Sequence, residues 1–209
     1  MLPLLLLAAS LLTSQHASTE CVDNGADHAA TETQAARGPS GASAVLKVST
    51  EDDHSKNSHT CNAEYQLIVT PASGGAPVVV DLLTADDDYG RTLSLRLDGF
   101  SRDGKRILGI FSESSRRTTT FLFDYDMTNG NVQLVDLKMR FAGMMPSSCS
   151  SSFGVTGTTE AGAIILELNS DKPCGAVRRW MLDRATGKPQ RIAQSVTVVG
   201  LYEFKSGIQ

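Results

Sequence analysis

From residue 44 onward one texture repeats along the chain: runs of four to seven residues rich in Val, Ile, Leu, Phe and Thr, separated by clusters of Gly, Asn, Asp, Pro and Ser. No 3.6-residue periodicity persists, so the pattern predicts strands and an all-β chain. In "TTTFLFDYD", Phe121, Phe123 and Tyr125 fall on one face of a strand, and Leu122 and Asp124 on the other. "MTNGNVQLVDL" follows, with an Asn-Gly turn at Asn129 and Gly130 and a second apolar run, which together read as a β-hairpin. Laid out in this way, the chain contains strands near 44–48, 64–70, 77–83 and 92–97, then 106–111, 119–125, 132–136 and 153–157, then 163–168, 177–182, 190–194 and 198–203.

The groups of four are related. "SRDGKRILGI" and "TEAGAIILEL" place a polar turn before an apolar run, at Gly104 and Gly162, and each is followed about 21 residues later by an Asp that opens "DMTNG" or "DRATG". In this alignment Ile107, Leu108 and Ile110 match Ile165, Leu166 and Leu168. Phe123 matches Trp180, Tyr125 matches Leu182, and Gly130 and Gln133 match Gly187 and Gln190, a period of about 57 residues. A weaker first copy runs through "SAVLKV" and "EYQLIVTPASGGAPVVVDLL", with the insertion "STEDDHSKNSHTCNA" between its first two strands.

"FSRDGKRILGI", "YDMTNGNVQLV" and "WMLDRATGKPQRI" resemble the TolB-type and WD-type β-propeller repeats. The resemblance covers residues 99–194 well and 44–97 poorly. It implies four-stranded blades and a binding role in the bacterial envelope; the chain as a whole is also similar to exported bacterial proteins, which implies no activity. Propellers close with four to eight blades, and three units are visible here. The expectation is therefore three four-stranded propeller-like repeats in an open or incomplete propeller, a ring completed by a second copy, or a β-sandwich.

Before residue 44 the texture differs. Leu2–Leu12 is nearly all apolar and is followed by small and polar residues, as in the h-region of a signal peptide. Eleven helical residues reach only about 17 Å, against the roughly 30 Å of a hydrocarbon core. The expectation is a signal peptide over residues 1–18 and export to the periplasm or beyond. Glu20 before Cys21 does not suit lipoprotein processing, which needs a small residue there. Residues 19–43 hold one Val and no Leu, Ile, Phe, Tyr or Trp, and so read as an irregular or disordered arm. The repeat domain is then 44–209.

A formal net charge of -4 leaves no overall basic footprint for nucleic acid or an acidic membrane surface. The partners expected are another envelope protein or a second copy of the chain, with no transmembrane segment in the mature protein. Cys21, Cys61, Cys149 and Cys174 are even in number and too scattered for paired zinc-ligand spacing. They read as two disulfides; three pairings are open, and the shorter loops favour Cys21 with Cys61 and Cys149 with Cys174.

Candidate chemistry is sparse. The histidines are His16, His28, His54 and His59, all outside the well-repeated region. "EDDHSKNSHTC" gathers Asp52, Asp53, His54, His59 and Cys61, ligand types suited to a transition metal, but the spacing matches no established pattern and reads as a solvated loop. Asp86, Asp87 and Asp88 offer hard oxygens for calcium, yet Gly90 falls fifth rather than sixth and no Glu stands twelfth, so a polar turn is expected. "MMPSSCSSSFG" has no nucleophile elbow. Arg178, Arg179, Arg184, Lys188 and Arg191 read as the solvated face of a strand pair that discourages edge aggregation, and Trp180 as an intersheet packing position. No cofactor and no metal are expected. The sequence thus points to a binding or structural module, with a hydrolase using carboxylates from different repeats as the alternative.

Overall fold

The computed structural model describes residues 28–55, 58–87, 92–114, 118–144, 151–170, 178–192, 196–203 and 205–207. The described chain is all-β apart from one short helix and a 3₁₀ turn at Pro39–Gly41. It opens with β1 (His28–Arg37), β2 (Ser43–Ser55), β3 (Ser58–Thr70) and β4 (Val78–Asp87). The next unit is β5 (Thr92–Phe100), β6 (Arg106–Ser114), β7 (Thr118–Asp126) and β8 (Val132–Asp136), closed by α1 (Leu137–Arg140). A third unit follows as β9 (Ser151–Thr158), β10 (Ile164–Ser170), β11 (Arg178–Leu182) and β12 (Pro189–Arg191). Three short strands end the chain: β13 (Val199–Gly200), β14 (Tyr202–Glu203) and β15 (Lys205–Gly207).

Each unit is an antiparallel meander, and the terminal strands attach one to each: the sheet orders are β15-β1-β2-β3-β4, β14-β5-β6-β7-β8 and β13-β9-β10-β11-β12. The last segment of the chain therefore runs along the inner edges of the third, second and first sheets in turn. Close approach of this segment requires glycine. A Cβ on Gly99 would strike the Tyr202 carbonyl, and one on Gly157 the Val199 carbonyl.

The strands expected from the hydrophobic pattern are present up to β12, whereas the one expected at 198–203 is broken into β13 and β14, which join different sheets, and the phase of the grouping is corrected. The strands at 92–97 and 153–157 open the next sheet as β5 and β9 instead of closing the previous one. The missing first strand of the first unit is β1, which lies inside the segment expected to be an irregular arm. It is poor in large apolar residues because it is held between β2 and β15, where Gln34 and Ala36 are buried. Small side chains suffice there. The repeat register is also corrected by one residue. Phe123 pairs with Gly109 and Trp180 with Leu166, so Leu166 holds the place of Gly109 and Ile165 that of Leu108. The turn before β6, Ser101 to Arg106, is one residue longer than the turn before β10, Thr159 to Ala163, which shifts an alignment anchored on the turn glycines.

The middle sheet is buried on both faces. Ile107, Phe111, Phe123 and Tyr125 pack against Leu46, Tyr65, Leu67 and Val69 of the first sheet. Leu108, Ile110 and Leu122 pack against Phe153, Ile164, Leu166 and Trp180 of the third. The outward face of the first sheet carries Lys47, Ser49, Glu64 and Gln66 around Val45 and Ile68, and Gln66 Nε2 donates to Asp81 at 3.1 Å. A largely polar outer face of this kind caps a stack of repeats. Among the described residues no helix is long and apolar enough to cross a membrane.

Candidate functional site

The opening turn "SRDGK" is the first wall of the site. The Ser101 N–H donates to the Arg106 carbonyl and the Gly104 N–H to the Ser101 carbonyl, with Gly104 at φ 69°, a conformation that favours glycine. Asp103 locks the turn by accepting from Ser101 Oγ at 2.6 Å and from the Lys105 N–H at 3.1 Å. Burial works against its charged form, but these bonds and the charges of Lys105 and Arg106 hold its carboxyl below the ordinary range.

The turn between β7 and β8 docks onto the first, with the Met127 N–H donating to the Lys105 carbonyl at 2.8 Å. Asp126 accepts from the Thr128 N–H at 2.8 Å, a bond that leads in keeping its pKa low. The third unit repeats this device: Asp183 accepts from the Thr186 N–H at 2.7 Å, and Gly187 donates back to the Asp183 carbonyl as Gly130 does to that of Asp126.

These turns all lie at one end of the second and third sheets. With the turn Thr159–Ala163 and Val199 of β13 they enclose a cleft of about 400 Å³. Arg102, Lys105, Arg106 and Arg184 line it together with Asp103, Asp126 and Glu160, and Thr128, Thr158 and Thr159 add hydroxyl groups. Arg102 is committed, donating to the Gly200 carbonyl at 2.9 Å with its guanidinium 4.7 Å from the centre of the Tyr202 ring.

Beneath the cleft, Arg106 pairs with the buried Asp124 and reaches Asp126 at 3.4 Å. Arg184, from the turn between β11 and β12, approaches the same Asp124 oxygen at 3.8 Å. Burial pushes the Asp124 carboxyl up against the pull of Arg106, and its Oδ1 has no hydrogen-bond partner. Adjacent carboxyls on one strand thus shift in opposite directions, Asp124 up and Asp126 down. A second polar link joins the inner strands of the same two sheets. Asp98, at a bulge in β5, accepts from Arg96 Nε at 2.7 Å and from the Val155 N–H at 2.9 Å, while Arg96 donates to the Phe153 carbonyl at 3.1 Å.

The sequence candidates are distributed elsewhere. Asp52, Asp53, His54, His59 and Cys61 stand on β2 and β3, and their side chains lie outside the described residues, as do those of Asp86 and Asp87 on β4. Asp88, Cys21, Cys149 and Cys174 also lie outside them, and with these the disulfide pairing. Among the residues whose side chains are described, no group of three or more His, Cys, Asp or Glu could hold a metal ion. The Ser-rich stretch enters β9 only at Ser151 and Ser152.

The side chain of Arg178 lies outside the described residues, and Arg179, Arg184 and Arg191 point to separate partners. Arg179 faces Glu167 at 3.9 Å, Arg191 lies 5.9 Å from the centre of the Trp180 ring, and Arg184 alone enters the cleft. Trp180 is buried edge-on to Phe141, with ring centres 5.2 Å apart, in the packing position expected of it. Sequence reasoning missed Asp124, Asp126 and Arg106 as a group. The recurrence of the polar turns at the same place in successive units was the signal that could have found them.

No protein-family model matches this chain, and neither does any curated protein or solved structure.

Proposed function

We propose that this protein is an exported binding module whose ligand site is the cleft between the turns of the second and third units. The observation that carries this reading is the cleft itself: a concave volume within the usual size for small-ligand sites, built by turns from two repeats on rigid sheets. Its chemistry suits a small, polar, anionic ligand. Lys105 and Arg184 line the cleft from the turns of different units, and threonine hydroxyls supply neutral contacts, whereas Asp103 and Asp126 are engaged within their own turns and Glu160 is the other carboxylate of the lining. Export is supported by the apolar run Leu2–Leu12 and the even cysteine count, and the repeat pattern supports a TolB-like envelope module.

The test is titration of the purified protein with citrate and inorganic phosphate, followed by amide NMR shifts. Shifts clustered on residues 101–106 and 158–162 are expected, weakened at least about tenfold in Lys105→Ala and Arg184→Ala, as for loss of a charge-assisted contact. Shifts spread over the whole surface, or unaltered in both variants, reject the site. The alternative, a secreted hydrolase, is favoured by the opposed shifts of Asp124 and Asp126. It predicts turnover of a chromogenic ester or glycoside that is lost in both Asp124→Asn and Asp126→Asn.

A further inference from the structure

The turns that precede β6 and β10 share one construction. The Gly104 N–H donates to the Ser101 carbonyl and the Gly162 N–H to the Thr159 carbonyl, each three residues back. The Ser101 and Thr159 hydroxyls each accept the N–H that closes the turn, from Arg106 and from Ala163, both at 3.1 Å. Arg102 and Glu160 therefore hold equivalent places, Asp103 corresponds to Ala161, and Lys105 is the inserted residue.

These differences decide which charges are left for a ligand. Asp103 is spent within its own turn, and Arg102 on the Gly200 carbonyl and the Tyr202 ring. Arg106 serves Asp124 and Asp126. Glu160 has no such duty. Its turn is closed by the Thr159 hydroxyl, and its side chain lies exposed on the cleft wall, with no ion pair or hydrogen bond to its carboxylate among the described residues. The Lys105 ammonium likewise forms no ion pair among the described residues, and Arg184 is 42% exposed and only 3.8 Å from Asp124. Three turns thus present two available cations and one available anion to a single cleft of about 400 Å³.

We propose that the ligand of this cleft is an amino dicarboxylate, its carboxylates taken by Lys105 and Arg184 and its ammonium by Glu160. A ligand carrying acceptors alone satisfies the two cations but meets Glu160 as a like charge, and shields that carboxylate from water without pairing it. An added ammonium turns the repulsion into a charge-assisted hydrogen bond. Glu160 is then the specificity-determining residue, because a site built to pair a polar group discriminates strongly against the analogue that lacks it. This assignment rests on the cleft reading and adds to it the class of ligand.

The experiment is calorimetric titration of the purified protein at pH 7 with L-aspartate and with succinate, which differs only in lacking the ammonium group. Aspartate should bind at least about tenfold more tightly, as for one charge-assisted hydrogen bond. Glu160→Gln should bring the two affinities to within about twofold of one another, with succinate bound more tightly than by the wild-type protein. Lys105→Ala should weaken both ligands and keep the preference. Because the readout is a ratio of two affinities in one variant, and succinate binding itself reports an intact cleft, a general loss of fold cannot mimic it. Equal affinity for the two ligands in the wild-type protein, binding of neither, or a preference that survives in Glu160→Gln overturns the proposal. Citrate or phosphate shifts at residues 101–106 that accompany such a result leave the cleft itself standing; their absence rejects both.

Discussion

The joint between the first and second sheets differs in kind from the joint between the second and third. The first is largely apolar, with small residues Ala36, Ala44 and Ala63 beside Leu46, Leu67 and Phe123, and a buried polar bridge from the Leu97 N–H to Gln34 Oε1. At its outer margin Val78 of β4 and Val132 and Leu134 of β8 stay 40–50% exposed. The second joint is sealed at its outer margin by α1, whose Asp136 cap accepts from the Met139 N–H and which sets Leu137 and Phe141 against Phe153 and Trp180. It is also crossed by the Arg106, Asp124 and Arg184 network and by the Asp98 link to β9. Apolar burial is non-directional and holds sheets together; buried polar groups demand one geometry. The cleft stands on the joint whose geometry is specified.

The largest effect that would break this contrast is in the buried pair. Arg106→Ala leaves Asp124 without its main partner and should cost about 3–5 kcal/mol in urea unfolding, as removal of one member of a buried ion pair does. Arg106→Leu combined with Asp124→Leu should recover part of that loss. If the double variant is as unstable as the single one, the network contributes net stability instead of specifying geometry. A smaller effect is expected at the inner strands. Asp98→Ala strands the Val155 N–H and should cost about 1–3 kcal/mol, more than Gln34→Ala, which removes a longer bond at the other joint. Equal losses would mean that the two joints are alike.

The smallest effect is in the pH profile. The folded pKa of Asp124 lies above its ordinary value of 3.8, so its contribution is full below that value and is lost as pH rises through the folded pKa. Asp103 and Asp126 are shifted down, so their contributions are present above 3.8 and are lost as pH falls. In the wild-type protein the two trends oppose one another. Asp124→Asn removes the first, and the melting temperature should then rise more steeply with pH between about 3 and 6. An unchanged slope would show that Asp124 titrates normally. Arg106 and Arg184 are the cations that approach it, and Asp126 is the neighbouring acid.

Much of the fold was legible in the order of residues because strand formation is local: alternation such as that of Phe121, Phe123 and Tyr125, and turn chemistry such as that of Asn129 and Gly130, act over a few positions. β1 was not legible, since "HAATETQAAR" is ordered by β2 and β15 on either side, the latter some 170 residues away in sequence. The candidate site was less legible still. Ser101, Asp103 and Gly104 stood out as a turn, but nothing near Asp124 in sequence shows that Arg106 and Arg184 approach it.

By itself, then, the sequence determined the strand type, the twelve apolar runs, the roughly 57-residue repeat and the polar turns, all of which are consequences of side-chain periodicity and backbone preference within short windows. Only the tertiary structure decided which strand opens each sheet, that the last nine residues described edge all three sheets, that the repeat register shifts by one, and which charged groups meet. Those depend on pairing between distant segments, where a one-residue change in a turn moves every later partner to the other face of its strand.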